Sequence, residues 1–247
     1  MNIRKNIPNT ITCLNLLCGC MGIVCAFQEN GGILYSSVFI GLAAIFDFLD
    51  GFVARLLKAH SEIGKQLDSL ADMVTFGVLP GVMMFKLIDE AFTQFHQDSM
   101  HLQYIGFLIT VFSAIRLAKF NIDTRQTDSF IGLPTPANSI LIASFPLIIL
   151  QTFELLPNRN TTLVHLSIAN PYFLIGLTVV MSYLLVAELP LFALKFKNFG
   201  WTDNKIRYIF LGLSLVMLIA FEFVAVPFII ALYILLSVVN NFSQKTA

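Results

Sequence analysis

The stretch Ser37-Val-Phe-Ile-Gly-Leu-Ala-Ala-Ile-Phe46 runs straight into Asp47-Phe-Leu-Asp50-Gly51-Phe-Val-Ala54-Arg55, and the reading of that junction decides the fold. At about 100° per residue, Asp47, Asp50, Gly51, Ala54 and Arg55 fall within an arc of roughly 140°, which is one face of a helix. A second array follows, Gly64-Lys-Gln-Leu-Asp68-Ser-Leu-Ala-Asp72, in which Gly64, Asp68 and Asp72 share a face in the same way. It leads into Met73-Val-Thr-Phe-Gly-Val-Leu-Pro80, so both arrays adjoin sequence that suits lipid. In a soluble chain, acids at this spacing usually form a solvated helix face, but apolar flanks of this kind disfavour that reading. A carboxylate within a membrane helix commonly costs about 2.5–3.5 kcal/mol, so four placed together need a compensating cation or a wet cavity. Divalent metal is the natural compensation.

The rest of the chain agrees with a membrane setting. Of 247 residues, 57% are hydrophobic and 12% charged, which is the profile of a polytopic membrane protein and leaves no soluble domain. Apolar segments of spanning length occur near 7–27, 33–54, 67–88, 102–118, 131–153 and 172–194. A last one, 208–240, is too long for a single helix of about 20 residues and reads as a hairpin broken around Glu222. The expectation is an all-α integral membrane bundle of about eight transmembrane helices, six forming a catalytic core, with residues 1–247 as a single domain. The first segment reads as a retained helix rather than a cleaved signal.

If the N-terminus is cytoplasmic, every Lys and Arg except Lys86 and Arg159 falls on the cytoplasmic side, and the external stretch from Asp89 to His101 has no basic residue. Both carboxylate arrays then face the cytoplasm of a multi-pass protein in the cell's inner membrane. The run Lys195 to Arg207 mixes basic and aromatic residues, which suits an anionic headgroup layer or an ordinary positive-inside loop. Nothing points to nucleic acid. Cys13, Cys18, Cys20 and Cys25 all lie in the first helix without a C-x-x-C pair and read as small packing residues.

The pattern D-x2-D-G-x2-A-R-x8-G-x3-D-x3-D resembles the signature of the CDP-alcohol phosphotransferases, integral membrane enzymes of phospholipid synthesis. All of its fixed positions are filled here without a departure, which makes the signal specific. The resemblance implies that Asp47, Asp50 and Asp68 are metal ligands and that Asp72 both sits at the metal site and acts as general base. It implies that Gly51 and Arg55 contact the CDP moiety, with Ala54 and Gly64 in the same set. Ser61 occupies a position from which a hydroxyl contacts CDP in relatives. Thr12 and Asn15, on the first helix, are further nucleotide-contact candidates, with helix–helix hydrogen bonding as the equal alternative. A homodimer is also implied.

The residue chemistry is consistent with these roles. Oxygen-only ligands select hard cations, so two ions of Mg²⁺ or Mn²⁺ are expected and zinc is disfavoured. A pair about 3.5–4 Å apart would bridge a diphosphate and stabilise the leaving phosphate. Gly51 removes a side chain where the diphosphate must approach, and Arg55 offers bidentate contact to phosphate.

The core motif leaves the acceptor alcohol open. Three flanking segments narrow it: Ile7-Pro-Asn-Thr-Ile-Thr-Cys-Leu-Asn-Leu-Leu-Cys-Gly19, Ile115-Arg-Leu-Ala-Lys-Phe-Asn121 and Phe130-Ile-Gly-Leu-Pro-Thr-Pro-Ala137. They resemble segments of the family members that use serine, so the resemblance runs from about residue 7 to 137. Lys119 stands where Arg is commoner, keeping the charge but losing the planar fork. Arg116, Lys119, Asn121 and Arg125, in a predicted cytoplasmic loop, are candidates for acceptor or phosphate contacts, or simply obey the positive-inside rule. Pro134 and Pro136 suit the start of a helix.

The expected reaction is transfer of the phosphatidyl group from CDP-diacylglycerol, held among membrane lipids, to L-serine, giving phosphatidylserine and CMP. Transfer to another alcohol, such as glycerol 3-phosphate or inositol phosphate, is the nearest alternative. A metal or ion transporter is the alternative from a different class; its carboxylates should lie near the bilayer midplane rather than at helix ends.

Overall fold

In the computed structural model, residues 3–59, 61–123, 129–152, 168–194 and 200–245 are described. Helices α1 (Ile3–Ala26) and α2 (Gly32–Leu56) form an antiparallel pair. A continuous helical rod follows, made of α3 (Glu62–Asp72), a π-helical segment (Met73–Val78) and α4 (Leu79–Gln94). A 3-10 turn (Leu102–Phe107) opens α5 (Leu108–Ile122), and α6 (Thr135–Leu150) and α7 (Pro171–Val186) complete the core. Finally α8 (Trp201–Phe221) and α9 (Ala225–Lys245) are joined by a 3-10 turn at Glu222–Val224. The architecture is a polytopic all-α membrane bundle, with the expected break at Glu222, whose backbone adopts φ 52° and ψ −125°. Phe210 of α8 and Tyr233 of α9 meet at 5.6 Å between ring centroids, so the two helices fold back as a hairpin.

α4 lies at the centre. Leu79, Met83, Met84 and Ile88 along it are fully buried, packed with Ile40 of α2, Ile109 of α5, Ile142 of α6 and Leu174 of α7. Leu215, Val216 and Ile219 of α8 are instead exposed, as a lipid-facing surface requires. Cys18 joins the core, but Cys13 and Cys20 are exposed, so the packing role expected for all four cysteines does not hold for those two.

The π-helical segment has a local cause. Pro80 has no N–H, so the carbonyl of Phe76 loses its helical partner, and Leu79 N reaches back to Val74 O. Bare carbonyls in an apolar interior are costly, and side chains from two other helices satisfy them. Ser139 Oγ of α6 donates to Phe76 O at 2.9 Å, and Thr110 Oγ1 of α5 donates to Gly77 O at 3.0 Å. Thr75 Oγ1 donates to Asn15 O of α1 at 3.2 Å. Together these three hydrogen bonds tie α1, α5 and α6 to the segment that follows Asp72.

One span ends earlier than its hydropathy suggests. The segment expected to run to residue 194 leaves the helix at Val186, and Pro190–Phe192 forms a strand, β2, antiparallel to β1 (Ser129–Ile131). Ala187 is extended at ψ 140°, and Pro190 lacks the N–H a helix would need. Gly132, beside β1, has φ 76°, and a Cβ built there would lie 2.6 Å from Leu185 O, so only glycine fits this crossing.

Candidate active site

Asp47 and Asp50 sit in the last turns of α2, while Asp68 and Asp72 sit in α3, and the short connection between the helices turns the two arrays toward each other. Ser61 starts α3 by accepting a hydrogen bond from Gly64 N at 3.1 Å, the usual N-cap use of a serine. A side chain at Gly64 would come within 2.9 Å of both Asn9 Oδ1 and Ser61 Oγ, so glycine lets the start of α3 close on the start of α1.

One carboxylate oxygen from each of Asp47, Asp50 and Asp68 lies within 4.8 Å of the others. Asp72 stands outside this trio, in contact with the Asp47 carboxyl. Asn15 Nδ2 donates to Asp72 Oδ1 at 3.4 Å, and Thr12 Oγ1 donates to Asp50 Oδ2 at 2.6 Å. The immediate polar neighbours of the four acids are therefore other acids and neutral donors. Oxygen ligands gathered from two helices, whose side-chain hydrogen-bond partners among the described residues are Thr12, Asn15 and one another, fit a divalent metal.

Two of the trio, Asp50 and Asp68, open onto a cavity of about 530 Å³. Thr12, Asp50, Gly51, Ala54 and Arg55 line one side of it, and Ser61, Gly64 and Asp68 line the other. At Gly51 a Cβ would meet only Arg55 Nη1, at 3.7 Å, so the glycine leaves the helix backbone open to whatever fills the cavity. Every nucleotide-contact candidate from the sequence except Asn15 borders this space. Thr12 and Asn15 both make the cross-helix hydrogen bonds that were the alternative reading for them, and their acceptors are the carboxylates themselves. Asn9 and Lys65 line the cavity too and escaped the sequence reading. For Asn9 the signal was available, since it lies three residues before Thr12 and so on the same helix face.

The acceptor candidates are placed differently from expectation. Arg116, Lys119 and Asn121 lie on α5 rather than in a loop, because Ile115 to Ile122 contains no Gly or Pro and the helix continues to its C-cap at Asp123. Asn121 does not join Arg116: its Nδ2 donates to Ser69 Oγ at 2.9 Å, tying α5 to α3. Arg116 is buried, at 6% exposure, and its Nη2 donates to Gly132 O at 3.4 Å, with Nε unpartnered. Lys119 is exposed and borders, with Arg116, Asp123 and Glu188, a second cavity of about 30 Å³. That volume holds about one water. Arg125 lies outside the described residues.

Comparison with known proteins adds to this geometry. Residues 5–184 match the CDP-alcohol phosphatidyltransferase family model. The CDP-diacylglycerol–serine O-phosphatidyltransferase of Bacillus subtilis is 37% identical over 135 residues, 53% of this chain and 69% of that enzyme. The enzyme of the same name from Helicobacter pylori is 35% identical over 137 residues, 55% of this chain and 54% of its own. An archaetidylserine synthase from Methanothermobacter thermautotrophicus is 32% identical over 142 residues, 56% of this chain and 57% of its own. The chain thus spans little more than half the length of the latter two.

Proposed function

We propose that this chain, which belongs to the CDP-alcohol phosphatidyltransferase family, transfers the phosphatidyl group of CDP-diacylglycerol to the hydroxyl of L-serine, giving phosphatidylserine and CMP. The observation that carries the reading is the carboxylate trio of Asp47, Asp50 and Asp68, two of which, Asp50 and Asp68, line a nucleotide-sized cavity, in a chain similar to serine O-phosphatidyltransferases.

Asp47, Asp50 and Asp68 hold two divalent cations, Mg²⁺ or Mn²⁺, with Asp72 beside them. When bound, these ions supply neutralisation of the diphosphate and of the charge that develops on the departing CMP. Thr12, through its 2.6 Å hydrogen bond, orients Asp50, and Asn15 orients Asp72, so the ligand oxygens are fixed before substrate arrives. Gly51 admits the diphosphate close to α2, and Arg55 grips a phosphate oxygen pair. Ser61 and Gly64 bound the same space from α3.

Asp72 takes the proton of the serine hydroxyl as Oγ forms its bond to the lipid-bearing phosphorus. The bond from that phosphorus to the bridging oxygen breaks, and CMP departs with the electron pair. Arg116 supplies the cation for the serine carboxylate. It is supported in this by its burial, by the charge of Asp72 that acts on it and by its unpartnered Nε. The enzyme works in the cell's inner membrane with this cavity toward the cytoplasm, a reading supported by the placement of its basic residues. It works as a homodimer, testable by mass measurement in detergent.

An acceptor panel with purified protein, CDP-diacylglycerol and Mn²⁺ or Mg²⁺ tests the assignment. CMP release should be far faster with L-serine than with glycerol 3-phosphate or inositol phosphate. A preference for either phosphorylated alcohol overturns the acceptor and leaves the reaction class intact.

A further inference from the structure

Helices α8 and α9 lie beyond residues 5–184 and take no part in the chemistry above. A hairpin that only filled lipid would touch the core through apolar groups. Three of its polar side chains instead bond to backbone carbonyls of one short segment. Tyr233 Oη donates to Phe192 O at 3.0 Å, Asn241 Nδ2 to Pro190 O at 2.6 Å, and Arg207 Nε to Ala193 O at 2.8 Å. Tyr233 is 7% exposed, and its ring meets that of Phe192 edge-on at 5.0 Å.

The segment so held is β2, and through it the hairpin reaches the site. β2 pairs with β1, with Phe192 opposite Ser129 and Pro190 opposite Ile131, and Gly132 N donates to Leu189 O at 2.9 Å. The carbonyl of Gly132 accepts from Arg116. The Tyr233 phenol and the Arg116 guanidinium also interact electrostatically, and Arg116 feels the charge of Asp72 as well. The guanidinium's hydrogen-bond acceptor is this ribbon carbonyl of Gly132, so its aim depends on where the ribbon is held.

We infer that Tyr233 is a positioning residue for the acceptor half of the site: by anchoring β2 it fixes the ribbon, the Gly132 carbonyl and thereby the Arg116 guanidinium. The inference rests on Arg116 being the cation that receives the acceptor's carboxylate. Holding a buried cation in one orientation before substrate arrives removes an ordering cost from serine binding and leaves the CDP half untouched.

The test is a double-mutant cycle on the full-length protein in detergent, reading KM for L-serine and for CDP-diacylglycerol separately. Tyr233→Phe keeps the ring and removes the hydroxyl. It should raise the serine constant about 3- to 10-fold, the size of one lost hydrogen bond, and leave the CDP-diacylglycerol constant within about twofold. Arg116→Lys should raise the serine constant as well, and adding Tyr233→Phe to it should raise it little further. Asn241→Ala loosens the same strand from its other end and should act in the same direction. The inference is overturned if Tyr233→Phe shifts both constants together, lowers kcat alone, or adds in full to Arg116→Lys. A serine constant raised by Arg116→Lys and untouched by Tyr233→Phe overturns it while the role of Arg116 stands. If Arg116→Lys moves only the CDP-diacylglycerol constant, the assignment of Arg116 falls and the inference falls with it.

Discussion

Asp47 through Asp72 come from one helix–turn–helix stretch of the chain, whereas Arg116 meets its surroundings through Gly132, Phe192 and Tyr233, which are drawn from far apart in sequence. The two halves differ in access as well. Asp50 and Asp68 open onto about 530 Å³, and the space beside Arg116 is about 30 Å³. An open, acidic half can take its compensating charge from ions that enter with water. A closed half has to pair its cation with the protein's own groups or with substrate, because an unpaired group in a low-dielectric interior is costly, and Arg116 is paired with the Gly132 carbonyl while its Nε is left over. Spacing along a helix is enough to build the first kind of site. The second requires several elements to arrive together.

If the halves are functionally separate in this way, substitutions on the carboxylate side should affect metal and CDP binding or turnover and leave the serine constant alone. The largest effect is expected for Asp50→Ala, which removes one of the clustered oxygens. CMP release should drop by about 10³-fold or more, with metal-dependent CDP binding weakened in calorimetry. Activity close to wild type in this variant would falsify the two-metal reading.

Asp72→Asn sharpens the division within the acidic half. The amide can still offer an oxygen to a metal but accepts no proton. Turnover should fall by about 10²- to 10⁴-fold while Mn²⁺ and CDP binding stay measurable. Near-complete loss of nucleotide binding would make Asp72 chiefly a ligand, and the proton would need another route.

Thr12→Val removes the hydrogen bond to Asp50 and keeps the shape of the side chain. Metal affinity should weaken by about 10- to 100-fold, as for other groups that orient a ligand, and excess Mn²⁺ should restore most of the rate. A rate that excess metal fails to restore would move Thr12 from orienting the ligand to contacting the substrate.

Arg55→Lys is the mildest of the four, because charge is kept and only the planar fork is lost. KM for CDP-diacylglycerol should rise by roughly 10-fold with the serine constant nearly unchanged. A rise in the serine constant instead would erase the boundary between the halves.

Hydropathy located the apolar spans among the described residues, including the break at Glu222, because a membrane span announces itself by length and apolar content. The spacing of Asp47 and Asp50, and of Asp68 and Asp72, puts each pair on one face of its own helix, since side-chain direction in a helix follows from position alone. Thr12 and Asn15 were visible as polar residues on α1, but that they bond to Asp50 and Asp72 depends on how α1 packs against α2 and α3. The strand at Pro190–Phe192 was hidden because its pairing partner lies about sixty residues earlier, and no local pattern reports a partner at that distance. For the same reason Arg116 read as one basic residue among several in a loop. Its burial, the Gly132 carbonyl and the Tyr233 anchor exist only after α5, the ribbon and the C-terminal hairpin have packed. The sequence by itself determined which segments span the membrane and which carboxylates share a face, both of them periodic properties of a single helix. The tertiary structure alone decided what surrounds each charge, because burial and hydrogen-bond partners are properties of contacts between elements.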